Sequence, residues 1–66
     1  MNLTIRYENL PEESYNQLRE KLGRYKVYFF RNDPFITLTV TTDMKEMTEI
    51  LNITSQFEHK DLVLRQ

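Results

Sequence analysis

Cysteine and tryptophan are absent from this 66-residue chain, which has one glycine, two prolines and one histidine. Without cysteine there is neither a disulfide framework nor a thiolate metal site. Gly23 as the lone glycine leaves no glycine-rich loop to cradle a phosphate. No apolar run approaches the roughly 18 residues of a membrane span, and no signal-peptide pattern opens the chain. Excess positive charge is missing too: nine lysines and arginines face ten acids, for a formal charge of −1 at pH 7. That balance argues against a dedicated basic nucleic-acid binder. What is present argues against disorder, since four tyrosines, four phenylalanines and regularly spaced Leu and Ile supply a core. The expectation is one small cytoplasmic domain over residues 1–66, with so little core that it must pack without waste or borrow surface from a partner.

Along the chain the hydrophobic period changes four times. Leu3-Thr4-Ile5-Arg6-Tyr7 alternates, as a strand with one buried face does. Asn9-Leu10-Pro11-Glu12-Glu13 reads as a helix start, because a first-turn proline lacks only an orphan N–H and acids suit the positive helix end. Tyr15, Leu18 and Leu22 follow at helical spacing, with Arg19, Lys21 and Arg24 toward the far end and Gly23 as C-cap. Tyr25 to Arg31 is aromatic and β-branched, hence a strand. Asn32-Asp33-Pro34 breaks it, and Phe35 to Thr41 resumes the alternation, so the pair forms a hairpin. Asp43, with Glu46 three residues on, suggests a capping box. Met44, Met47, Ile50, Leu51 and Phe57 then trace an amphipathic helix of about four turns, with the methionines as core filling. Glu58 to Asp61 is a polar connection, and Leu62-Val63-Leu64 a short last strand.

The halves align at an offset of 33 residues: Leu3-Thr4-Ile5 lies over Ile36-Thr37-Leu38, Leu18 over Leu51, and Phe29 over Leu62. The resulting βαββαβ order resembles the ferredoxin-like split βαβ fold, an α+β architecture. That resemblance lies in element order alone and implies a four-stranded antiparallel sheet with two helices on one face. It implies no function.

In such a fold the helices cover Leu3, Ile5, Tyr7, Ile36, Leu38, Val40, Leu62 and Leu64. A two- or four-residue hairpin loop puts Val27 and Phe29 inside, whereas a three-residue loop buries Tyr28 and Phe30. The first is preferred, because the second also buries Lys26. The uncovered face then carries Thr4, Arg6, Lys26, Tyr28, Phe30, Phe35, Thr37, Thr39, Thr41, Val63 and Arg65, with three bases and no acid. Five of the nine bases lie between residues 19 and 31, and five of the eight aromatics between 25 and 35. Threonines and aromatics suit strands, and bases suit helix ends and edges, without any function. Clustered exposed aromatics, however, usually have a use.

Catalytic constellations do not assemble. Ser14 and Ser55 fall on different helices, and His59, the only histidine, is in a late polar turn. Glu46 and Glu49 share a helical face with no third ligand beside them. Asn2-Leu3-Thr4 and Asn52-Ile53-Thr54 match the glycosylation pattern, but within a strand and a helix. No catalytic residue, metal or cofactor is therefore expected. The RNA-recognition module has the same element order, yet it places stacking aromatics on its two central strands. Here those positions are Thr4, Arg6, Thr37, Thr39 and Thr41.

Function is thus expected to be non-catalytic protein binding, as an inhibitor, adaptor or regulator of a larger protein with an acidic patch. Tyr28, Phe30 and Phe35 would anchor in the partner. Lys26, Arg31, Arg24 and Arg6 would steer the encounter. Chains of this kind resemble those that phages and mobile elements encode to block or redirect a host machine. Single-stranded nucleic-acid binding by the open face is the alternative. A homodimer joined through the second strand is expected as well, and no membrane contact.

Overall fold

Alternation over Leu3 to Tyr7 produces strand β1 (Asn2–Glu8) in the computed structural model, which describes residues 1–66. It is followed by α1 (Glu12–Lys21), β2 (Tyr28–Asn32), β3 (Phe35–Thr41), α2 (Met44–Thr54) and β4 (Asp61–Arg65). The sheet order is β2-β3-β1-β4, with every neighbouring pair antiparallel. Both helices bury residues in one cluster on one sheet face. Leu18 and Leu22 descend from the first helical segment, and Met47 and Ile50 from α2, onto Leu3, Ile5, Tyr7, Ile36, Leu38 and Val40. The ferredoxin-like layout is therefore the fold of this chain. No helix is long and apolar enough to cross a membrane.

Local signals end the elements, with some corrections. Asp43 caps α2 by accepting from the Glu46 N–H at 2.9 Å. Glu46 does not complete the box; its carboxylate accepts from Thr42 Oγ1 at 2.9 Å instead. The second helix stops at Thr54, short of Phe57, and Met44 at its first turn is 62% exposed rather than core. β2 begins at Tyr28, later than expected, because the chain before it is drawn toward the helices: the Tyr25 N–H donates to Leu22 O and its hydroxyl to Glu49. The hairpin loop has two residues, Asp33-Pro34 with a cis peptide bond, so Phe29 pairs with Leu38. That register turns Val27 and Phe29 to the helix side, as preferred from sequence.

The helix cap falls on Leu22, one residue before Gly23, and Gly23 does not adopt positive φ. An added Cβ there would meet Glu20 O at 3.4 Å and Arg19 O at 3.5 Å, ordinary contact distances. Gly23→Ala is accordingly expected to raise stability by about 0.4–1 kcal/mol, by restricting the unfolded chain. A lowered urea midpoint for the variant would contradict this. The one left-handed residue is Asn9 (φ 57°), in the turn after β1, whose N–H donates to Pro34 O at 2.8 Å.

The internal offset holds in three dimensions. Shifting β1 (residues 2–8) and β2 (28–32) by 33 lands on β3 (35–41) and β4 (61–65). Coverage of the two edge strands nevertheless differs. α1 shields β2: Tyr15 meets the Phe29 ring edge-on at 6.0 Å, the Arg19 guanidinium lies 5.0 Å over it, and Glu12 holds Arg31 at 3.0 Å. The same offset carries Tyr15 and Arg19 onto Thr48 and Asn52 of α2, side chains too short to overhang an edge. Leu62 and Leu64, expected under the helices, are consequently 39% and 41% exposed.

Candidate interaction surface

Strand alternation turns Asn2, Thr4, Arg6 and Glu8 of β1 away from the helices, and the register aligns their neighbours. Tyr28, Thr39, Thr4 and Val63 form one row across the open face, and Phe30, Thr37, Arg6 and Asp61 the next. Tyr28 is 79% exposed and Phe30 65%, the two largest exposures among the bulky apolar side chains. They stand side by side on β2, one per row. Two shallow depressions of about 420 and 450 Å³ flank the first row, sharing Asn2 and Thr4 as floor. Lys26 and Tyr28 line the outer part of one, Val63 and Arg65 that of the other.

The open face is less basic than sequence suggested, since two acids join it. Asp61, assigned from sequence to a connecting turn, begins β4 opposite Arg6 and binds its guanidinium at 2.6 Å. Glu8, at the end of β1, binds Lys60 at 3.0 Å. Arg6 also lies 4.9 Å over the Phe35 ring, and its Nε is buried without a partner. Phe35 is half-buried beneath this guanidinium, so it forms floor rather than a protruding anchor. Cationic character is kept at the other end of the face, where Lys26 and Arg65 make no ion pair within the chain.

Two of the other expected contact residues lie elsewhere. Arg31 points to the helix side, where Glu12 and Asp33 hold it at 3.0 and 3.1 Å and its guanidinium lies 5.1 Å from the Tyr15 ring. Hydrogen bonds to Glu12 and then Asp33 raise its pKa further, and the Glu12 contact links α1 to β2. Arg24 lies 5.2 Å over the Tyr25 ring at the end of the sheet. Of the seven residues that sequence groups into a candidate surface, Tyr28, Phe30 and Lys26 thus stand exposed together on the open face, with Arg6, bound to Asp61, and Phe35 as its floor.

Glu49, Ser55 and His59, weighed for chemistry from sequence, each have a structural partner. Glu49 accepts from the Tyr25 hydroxyl at 2.9 Å, and burial, with this bond second, raises the Tyr25 pKa. Ser55 Oγ donates to Asn52 O at 3.1 Å. His59 meets the Tyr7 ring edge-on, 6.5 Å between centroids. Tyr7 itself is fully buried and donates to Thr54 O at 3.1 Å. No family model, curated protein or solved structure matches the chain, so the surface is interpreted from its own geometry.

Proposed function

We propose that this chain is a non-catalytic protein-binding module, acting as an inhibitor, adaptor or regulator by occupying a surface on a larger protein. One observation carries the proposal: Tyr28 and Phe30 stand 79% and 65% exposed on adjacent rows of a sheet face that no helix covers. Holding two large rings in water is unfavourable, and rigid aromatics on a strand lose little entropy when they enter a groove. Lys26 beside them favours a partner with acidic residues at that groove's rim. Single-strand binding is less well supported, because stacking needs rings along the strand path and free cations for phosphates. Here threonines occupy the central strands, and Arg6 is already bound to Asp61.

Affinity capture on the immobilised chain from a nuclease-treated lysate of its native cells tests this, with a Tyr28→Ala/Phe30→Ala variant in parallel. The expected result is one stoichiometric protein, retained at high salt and bound about a hundredfold more weakly by the variant. The variant should melt with the wild type, since both rings are exposed. Equal capture by both chains would overturn the proposal. So would tight binding of a single-stranded oligonucleotide, titrated separately against the purified chain, with affinity falling log-linearly in salt and no protein captured.

A further inference from the structure

β4 is the less finished edge of the sheet. All five of its residues are exposed, and Leu62, Val63 and Leu64 in its centre are 39%, 44% and 41% so. Edge strands are ordinarily guarded by proline, lysine, a bulge or an inward charge. None of these lies between Leu62 and Leu64; the only charges are Asp61 and Arg65 at the two ends, of opposite sign. We propose that β4 pairs antiparallel with β4 of a second copy, about a twofold axis through Val63.

Sequence and register together select that occupant. Centred on Val63, the pairing sets Asp61 opposite Arg65 of the second copy, and Arg65 opposite its Asp61. Leu62 meets Leu64, and Val63 meets Val63. Directly opposed residues share a sheet face, so both ion pairs fall on the open face and both leucine pairs on the helix side. A shift of two residues loses both ion pairs, and a shift of one turns the leucines to the wrong face. Asp61 uses Oδ2 for Arg6, which leaves Oδ1 for the second copy's Arg65. Arg65 has no ion pair of its own to give up. On α2, helical spacing puts Met44, 62% exposed, and Leu51 on the flank opposite Glu49, whose carboxylate is turned toward Tyr25.

The other edge offers no such match. Self-pairing of β2 about Phe30 would set Phe29 against Arg31, a guanidinium that Glu12 and Asp33 already hold. The contact thus moves from the second strand, where sequence put it, to the fourth. Pairing over five residues buries less than the roughly 1,600 Å² of a standard interface, so dissociation is expected in the micromolar range. Tyr28 and Phe30 lie across the sheet from β4, and the dimer does not depend on their role.

Sedimentation equilibrium of the full chain at rising micromolar concentrations tests the pairing. Wild type should pass from monomer to dimer mass, and Arg65→Asp should weaken association about tenfold or more by opposing like charges twice. Added salt should loosen the wild-type dimer and tighten that of Arg65→Asp. Asp61→Arg alone should associate as weakly as Arg65→Asp, whereas an equimolar mixture of the two should restore a tighter heterodimer with both ion pairs. If Asp61→Arg does not fold without its Arg6 pair, the salt response of Arg65→Asp decides. A wild type that stays monomeric, a dimer indifferent to Arg65→Asp, or a mixture no tighter than its components would overturn the proposal.

Discussion

Ile5→Ala is expected to lower the unfolding free energy by about 2–5 kcal/mol. Ile5 is fully buried at the centre of β1, between Leu38 of β3 and Leu62 of β4. Removing three carbons there leaves a cavity walled by two strands and the helices, with no edge from which to collapse. A chain of 66 residues has a total stability of about 3–10 kcal/mol, so this one substitution consumes a large share of it. Leu62→Ala, directly opposite on the same face, should cost about 1 kcal/mol or less, because the leucine is 39% exposed. Urea unfolding at low protein concentration separates the two. Equal losses would mean that the helix side of β4 is as well covered as the sheet centre.

Alkaline pH should produce the second large effect. Burial pushes the Tyr7 phenol from 10.0 up to about 12. The folded chain then keeps the phenolic proton where the unfolded chain has released it. Tyr7 therefore contributes its full stability below pH 10, and that contribution is lost as pH rises through 12. At about 1.4 kcal/mol per pH unit the loss comes to about 2–3 kcal/mol. Tyr7→Phe isolates it from the titration of lysines and other tyrosines. At neutral pH the variant should be less stable by about 1 kcal/mol, for the lost bond to Thr54 O. By pH 12 the order should reverse, with the phenylalanine variant the more stable. Parallel stability–pH curves for the two chains would refute this account.

How much could be read in the sequence depends on how local each determinant is. The alternation of Leu3-Thr4-Ile5 and Ile36-Thr37-Leu38, and the cap at Asp43, act over a few residues, so strands, order and core faces were legible. The hairpin register was legible as a choice between loop lengths, and with it the outward direction of Tyr28 and Phe30. The Arg6–Asp61 pair was not, because its partners are 55 residues apart and meet only when β4 docks on β1. Arg31 was misjudged for a similar reason: as a cation on an exposed strand it looks free, and only the docking of α1 brings Glu12 to it. Leu62 and Leu64 carry the strand pattern of covered residues. Their exposure follows from Thr48 and Asn52 standing where the first half has Tyr15 and Arg19, a contrast present in the 33-residue alignment.

That contrast between the halves makes the chain monofunctional in the polymer chemist's sense. A four-stranded sheet has two ends to which another sheet could add, and two reactive ends per unit would give ribbons of unlimited length. Here the β2 end has no self-matching register, its Arg31 being held by Glu12 and Asp33, and only the β4 end presents one. Joining two such units consumes the reactive end of each, and growth terminates at the first step.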